Sequence, residues 1–281
     1  MRVGYLGPQN SYTFKAAQEV YAKETLLDYA TIPLCIQSLV KGEIDRCVVP
    51  HENSLEGSVH ATLDTLFREQ KLSIDSELIL PINHQLLVAD RHDRQNRPIT
   101  RVISHPQALA QCANFLNTHY PDAVIESVAS TTAAASYVEN HPEEMVAAIA
   151  SKEAATAYHL QIKAQDIQDV SFNQTRFWVM NKQVASLENR AENAEKATIF
   201  VTLPANKPGI LHKILAAFGW RGIDLSKIES RPSKTTLGEY FFVIDLVLDK
   251  PIQLIANAFE EIRLIGGQVD LLGVYPVNEK R

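Results

Sequence analysis

The sequence has no long apolar run: charged or polar residues interrupt its hydrophobic stretches before they reach the roughly twenty residues that a membrane-spanning helix needs. Its start, Met1-Arg2-Val3-Gly4-Tyr5-Leu6-Gly7, lacks the basic segment, apolar run and small-residue cleavage site of an export signal. Cysteine is sparse. Cys35, Cys47 and Cys112 are odd in number and widely spaced, which suits reduced structural thiols better than a disulfide framework. A basic excess is also missing: 27 Lys and Arg stand against 33 Asp and Glu, so a nucleic-acid or anionic-membrane partner is not expected, and an anionic ligand needs a local focus. These absences together imply a cytoplasmic protein. No G-x-S-x-G, H-E-x-x-H, phosphate loop or paired C-x-x-C occurs, and His51, His60, His84, His105 and His212 have no helical ligand spacing. No metal is expected.

What is present is an ordinary globular composition over 281 residues, long enough for two compact domains or a two-lobed domain with an appendage. Short apolar runs alternate with helical patterns. Val3–Leu6, a helix near 11–22, Asp28–Ile32, a helix near 36–41 and Arg46–Val49 form one series; a second runs from Leu80–Ala89 to Met145–Ile149. Such alternation predicts parallel α/β sheets. A strand pattern returns over Gln168–Met180, so two similar lobes enclose a ligand cleft, as in periplasmic-type binding proteins. Residues 181–196, including Glu188, Asn189, Arg190, Glu192, Asn193 and Glu195, read as a polar linker with some helical character. Beyond it, Leu211, Ile214, Leu215 and Phe218 mark one helix face, Tyr240–Leu248 alternates as a strand, and Ile255, Phe259 and Ile262 mark a second helix. A βαββαβ unit of ferredoxin type follows.

The chemistry-bearing segments sit at strand ends. Phe172-Asn173-Gln174-Thr175-Arg176-Phe177-Trp178 pairs a hydroxyl donor with a guanidinium, which suits a carboxylate substrate that loses a hydroxyl; alone, it reads as an amphipathic strand. Gly7 to Thr13 opens a helix, where Gly-Pro makes a turn and Ser11 a cap, or where amides and hydroxyls receive a carboxylate. Pro50-His51-Glu52-Asn53-Ser54-Leu55-Glu56-Gly57-Ser58-Val59 follows a parallel strand with more polar groups than capping explains. After Ser104-His105-Pro106, Gln107 and Gln111 stand four apart on one helical face, able to orient a carboxylate or keto group. For Ser130-Thr131-Thr132, close helix packing is the first reading and ligand contact the second.

In order and spacing, Gly7-Pro8, Glu52-Asn53-Ser54-x-Glu56-Gly57, Ser104-His105-Pro106-Gln107 with Gln111-Cys112, and Asn173-x-Thr175-Arg176-Phe177 resemble prephenate dehydratase. The tail resembles an ACT regulatory domain through Gly209-Ile210-Leu211 and Glu229-Ser230-Arg231-Pro232. The implied architecture is α/β, with a two-lobed periplasmic-binding-protein-like catalytic domain over residues 1–180 and a ferredoxin-like ACT domain over 197–281. Lobe one takes about 1–78 plus 166–180, lobe two about 79–165, and 181–196 link the domains.

The resemblance implies conversion of prephenate to phenylpyruvate, with loss of water and carbon dioxide, in phenylalanine biosynthesis and without a cofactor. By similarity Thr175 hydrogen-bonds or protonates the leaving hydroxyl, and a protonated Glu52 is the proton source. Asn53, Ser54, Ser104, Gln107, Gln111, Asn173 and Phe177 bind or orient substrate, and Arg176 anchors a carboxylate. Phenylalanine is expected to inhibit from a site between paired ACT domains built from Gly209, Leu211, Asp224, Leu225, Glu229, Ser230 and Arg231, which requires a homodimer or homotetramer. Three positions depart from the family pattern: Asn10 for the more usual Gly, His51 beside Glu52 where an apolar residue is usual, and Asp224 for Asn. The first strand starts at Val3, so a monofunctional enzyme without an upstream chorismate mutase is expected. Two rivals remain, an arogenate dehydratase and a non-enzymatic amino-acid-sensing binding protein.

Overall fold

The computed structural model describes residues 1–69, 72–90, 98–188, 190, 193–203, 208–233 and 239–280. Lobe one begins with β1 (Arg2–Leu6), α1 (Tyr12–Tyr21), β2 (Thr25–Tyr29), α2 (Ile32–Lys41) and β3 (Arg46–Asn53). The helices start where short polar side chains satisfy free amides: Ser11 accepts from Phe14 N and Thr31 from Leu34 N. Three elements follow: β4 (Gly57–Ser58), α3 (His60–Arg68) and β5 (Ser73–Pro81). The apolar run over Leu80–Ala89, expected as one strand, is divided between β5 and β6 (Gln85–Ala89), so residues 82–84 form a crossover to lobe two.

Lobe two contains β6, β7 (Arg101–Ser104), α4 (Pro106–Gln111), α5 (Ala113–His119), β8 (Val124–Ser127), α6 (Thr131–Asn140), β9 (Val146–Ala150), α7 (Lys152–Ala157) and β10 (Leu160–Ala164). Its strands lie in the order β10-β6-β9-β7-β8. The chain returns to lobe one through β11 (Gln174–Asn181), which inserts antiparallel between β3 and β5. Residues 181–196 hold no helix among the described residues; Asn189 and Glu192 lie outside them.

The C-terminal unit is β12 (Lys196–Thr202), α8 (Ile210–Gly219), β13 (Leu225–Pro232), β14 (Tyr240–Val247), α9 (Ile252–Leu264), β15 (Gln268–Tyr275) and β16 (Val277–Glu279). One face of its sheet packs on α8 and α9 through Ile199, Ile214, Phe218, Ile244 and Phe259. The opposite face brings Phe200, Phe241, Val243 and Tyr275 into the core of lobe one, where Phe67 stacks on Phe241 at 3.9 Å between ring centroids.

The two domains also share one sheet, in the order β13-β14-β12-β15-β5-β11-β3-β1-β2. Gly273 makes the join: a Cβ there would stand 2.6 Å from the Ile74 carbonyl oxygen, so only glycine lets β15 approach β5. Beside the join lies a buried polar cluster. Lys196 Nζ is 2.7 Å from Glu77 Oε1, and His51 Nε2 is 3.1 Å from Glu77 Oε2 while its ring stacks on Trp178. Burial opposes ionisation of Glu77, but His51 and the Lys196 ammonium outweigh it and hold the carboxyl low, at about 2. Burial likewise keeps His51 neutral, its pKa lowered in spite of Glu77, so the charged partner in direct contact with Glu77 is Lys196, with Arg176 Nε farther away at 3.9 Å. His51, expected as an extra titrating group beside Glu52, directs its ring to Glu77.

Breaking this cluster from one side is expected to be costly. Lys196→Met leaves a buried carboxylate without its contacting ammonium, beside only the neutral His51 ring and the more distant Arg176 guanidinium, and should lower unfolding free energy by about 3–5 kcal/mol in urea titration at neutral pH. Glu77 has a depressed pKa, so its stabilisation is present above the ordinary value of 4.5 and is lost as pH falls from there through about 2. Glu77→Gln should flatten the loss of stability over that range; an acid profile identical to wild type would show that Glu77 is not its source.

Candidate active site

The pairing of β11 with β3 decides which side chains meet. Thr175 pairs with Asn53 and Arg176 with Glu52, but Phe177 pairs with Pro50, so His51 is an extra residue on β3. This bulge turns His51 and Glu52 to the same side. On one face, Asn53, Thr175 and Phe177 line a cleft of about 820 Å³ between the lobes. Glu52 and Arg176 point to the opposite face, 3.0 Å apart, toward the C-terminal domain. The expected roles of Glu52 as a proton source and Arg176 as a carboxylate anchor are corrected by this alternation: neither borders the cleft. Glu52 is ion-paired to Arg176 and, at 3.3 Å, to Lys227.

Lobe two supplies Gln107 and Gln111 to the cleft, and the returning crossover supplies Asn173. Two further expected residues hold the walls from behind. Ser104 is fully buried, its hydroxyl donating to the Ile149 carbonyl at 2.6 Å. Ser54 accepts from Gln174 N at 2.9 Å and donates to the Phe172 carbonyl at 3.3 Å, tying the loop after β3 to the start of β11. Neither borders the cleft, so their expected contact with substrate is corrected to a supporting role.

Asn53 sets the orientation of the rest. Its Oδ1 accepts from the backbone amides of Leu55 at 3.0 Å and Glu56 at 3.1 Å, which leaves Nδ2 to face β11. There it donates to Thr175 Oγ1 at 2.9 Å, to Asn173 Oδ1 at 2.8 Å and to the Gln174 carbonyl at 3.1 Å. A Thr175 oxygen that accepts from Asn53 has its own O–H free for the cleft. Asn173 Nδ2 in turn donates to Gln111 Oε1 at 3.0 Å.

The cleft is lined without any Lys or Arg among the described residues. Its positive character comes from backbone. The amino ends of α1 and α6 border it, and their caps Ser11 and Ser130 occupy the amides of Phe14 and Ala133, leaving earlier amides free. Thr132 Oγ1, buried at the cleft wall, has no protein partner among the described residues. Asn10 adopts φ 66°, the left-handed conformation its turn requires. Tyr12, Glu56, Ser58, His84 and Thr132 also border the cleft but were not among the expected site residues. Tyr12, Glu56, Ser58 and Thr132 each lie in a segment whose polar groups at a strand end or helix start were a sequence signal; His84 had none.

The expected effector residues divide between two faces of the C-terminal sheet. Gly209, at φ 78°, opens α8, and Leu211 stands half-exposed on its first turn. Leu225 begins β13 and Asp224 immediately precedes it, with the Asp224 carbonyl accepting from Val247 N at 3.0 Å. Ser230 pairs with Phe242 on the helix-bearing face. Glu229 and Arg231 are corrected: alternation along β13 sends them to the catalytic side, where Arg231 grips Asp64 at 3.0 and 3.2 Å and Glu229 accepts from the Ser58 hydroxyl. Lys227, on the same side of β13 beside Glu229, donates to Ser58 Oγ at 2.6 Å. Because Ser58 borders the cleft, the C-terminal domain touches the cleft wall directly.

Comparison with known proteins gives a consistent assignment. The family model "Prephenate dehydratase" matches residues 3–185 and the model "ACT domain" residues 197–264. A prephenate dehydratase of Lactococcus lactis is 43% identical over 278 residues, covering 99% of this chain and 98% of its relative. One from Bacillus subtilis is 42% identical over 280 residues, with 98% of each chain covered. A crystal structure of prephenate dehydratase from Arthrobacter aurescens, in complex with L-Phe, superposes with a TM-score of 0.86 at 33% identity, covering 98% of this chain and 90% of that one.

The hydrogen bonds of Asn53 yield a test that needs no substrate. Asn53→Asp keeps the two backbone bonds but turns a three-way donor into an anion facing three oxygen acceptors. Urea titration should show a loss of about 1–3 kcal/mol; unchanged stability would remove Asn53 from its organising position.

Proposed function

We propose a function for this chain from one premise: it belongs to the prephenate dehydratase family and carries an ACT domain. It converts prephenate to phenylpyruvate, releasing carbon dioxide and water. The ring carboxylate leaves as carbon dioxide, the electron pair of the broken bond restores aromaticity, and the carbon–oxygen bond to the ring hydroxyl breaks. One proton taken up by the departing oxygen completes the balance. Aromatisation supplies the driving force, so the protein needs to bind two carboxylates and favour departure of the hydroxyl.

The single observation that carries this reading is the Thr175 hydroxyl, held by Asn53 so that its hydrogen is free at the wall of the cleft. An ordinary hydroxyl is a poor acid. Thr175 therefore acts by hydrogen-bonding the leaving oxygen as negative charge grows on it. With no lysine or arginine lining the cleft among the described residues, the substrate carboxylates are received by the free amides at the amino ends of α1 and α6 and by the Thr132 hydroxyl. Gln107 and Gln111 orient the keto acid side chain, and Phe177 supports the ring. A cleft without a Lys or Arg side chain among the described residues leaves the departing carboxylate without a counter-ion that would hold it back.

Phenylalanine acts as feedback inhibitor from the C-terminal domain, with Gly209, Leu211, Asp224, Leu225 and Ser230 at the effector site. A second copy covers that site, forming at least a homodimer; the exposed Trp220 and Leu264, 84% and 85% accessible, favour such cover. Lys227, Glu229 and Arg231 carry the signal, since they connect β13 to Ser58 and α3. No helix among the described residues is long and apolar enough to cross a membrane, and three buried free thiols suit the cytoplasm.

Ultraviolet detection of phenylpyruvate tests the catalytic reading. Thr175→Val should lower kcat by about 100-fold or more, whereas Arg176→Gln should leave the KM for prephenate within about twofold, its ion pair being on the far face. Near-wild-type turnover by Thr175→Val would overturn the assignment, and faster turnover of arogenate than prephenate would change the substrate. For regulation, Lys227→Met should raise the phenylalanine concentration for half-inhibition by roughly fivefold or more, with a smaller effect on uninhibited turnover. An unshifted inhibition curve would break the proposed link.

A further inference from the structure

The hydrogen-bond chain under Thr175 ends on a residue that the reaction as described does not use. His84 sits in the crossover between the lobes, only 3% exposed. Its amide donates to Gln168 Oε1 at 2.8 Å and its carbonyl accepts from Ile167 N at 2.9 Å, so the second crossover holds its backbone from both sides. Its ring borders the cleft, with Nε2 2.9 Å from Gln111 Oε1.

Which ring nitrogen carries the proton follows from the far end of the chain. The amides of Leu55 and Glu56 fix the Asn53 oxygen, so the Asn53 amino group faces the Asn173 oxygen. Asn173 must then turn its own amino group to Gln111 Oε1. That oxygen is an acceptor, and the only complementary partner His84 can offer is a protonated Nε2. Burial lowers the His84 pKa, more than the bond to Gln111 raises it, which keeps the ring neutral and Nδ1 bare. Nδ1 has no protein partner among the described residues.

We propose that His84 is a positioning residue which, as the neutral Nε2–H tautomer, clamps the Gln111 carboxamide against Asn173 and aims its amino group at the substrate. Gln111 Oε1 is held from two sides, by one residue of each crossover between the lobes. Its amino group makes no hydrogen bond within the protein among the described residues, and it belongs to a side chain on the cleft wall. The free direction is the cleft, where it donates to the side-chain oxygens of the keto acid. The inference rests on the proposed reaction only for the identity of that substrate. Without the clamp the carboxamide rotates and presents oxygen instead of nitrogen to an anion.

The test combines a direct measurement with a mutant cycle. A long-range proton–nitrogen correlation spectrum of the unliganded protein, with His84 assigned by its loss in His84→Gln, should give the pattern of a bare Nδ1 and a protonated Nε2. The opposite tautomer, or a cationic ring at neutral pH, would overturn the proposal. In phenylpyruvate assays His84→Leu should lose roughly tenfold or more in kcat/KM, mainly through KM. His84→Gln, which returns an amide donor near the Nε2 position, should recover most of that loss. In a Gln111→Ala background His84→Leu should add little further loss. Equal losses in His84→Leu and His84→Gln, or fully additive losses with Gln111→Ala, would mean that His84 does not act through Gln111. If the wild-type protein fails to turn over prephenate, the functional reading fails; the spectrum still decides the tautomer.

Discussion

The pairing of β11 between β3 and β5, with His51 as the extra residue on β3, is the constraint on which the molecule depends. A strand has only two faces, and the bulge determines which residues share each one. Thr175 and Asn53 are placed together at the cleft, while Arg176 and Glu52, their immediate neighbours in sequence, are turned to the regulatory domain. A shift of one residue in this register would exchange the two sets and put an ion pair where the hydroxyl stands. The Asn-x-Thr-Arg segment therefore serves two purposes at once: alternate residues build the active site and the domain interface.

Catalysis and control consequently share a physical support. The regulatory sheet is continuous with that of lobe one through Gly273 and the strand after it, and its inner face completes the core around Trp178 and Phe67. A domain attached in this way does not need a long relay to influence the cleft. Lys227 and Glu229 already touch Ser58, a residue of the cleft wall. A change in the position of β13 that accompanies effector binding acts on that wall at one remove. The charged residues at this contact are partly buried, so their pairing favours one docking geometry of the two domains more than it adds stability.

Much of this organisation was legible in the sequence, because it is written in local patterns. Strand–helix alternation gave the lobes, three-and-four spacing gave α8 and α9, and polar clusters at strand ends marked Asn53, Gln111 and Thr175. What escaped notice depends on pairing between distant segments. The bulge at His51 has no sequence signature, so Glu52 was expected in the cleft with Asn53. The split of the run at Leu80–Ala89 follows from β5 pairing with β11, which no local propensity records. Ser104 was expected at the substrate through the family resemblance, yet its hydroxyl is spent on the Ile149 carbonyl. His84 lay in a crossover with no periodic pattern at all, and only its distance to Gln111 gives it significance.

The central claim is that a cleft with no Lys or Arg among its described lining residues, organised by Asn53 around the Thr175 hydroxyl, receives the substrate through backbone amides and not through Arg176. A crystal structure with bound phenylpyruvate would test it most directly. The account predicts the ligand carboxylate at the amino end of α1 or α6, the ring against Phe177, and the ring carbon that carried the hydroxyl directed toward Thr175 Oγ. A ligand whose carboxylate pairs with Arg176, or which lies on the other face of β11, would contradict it.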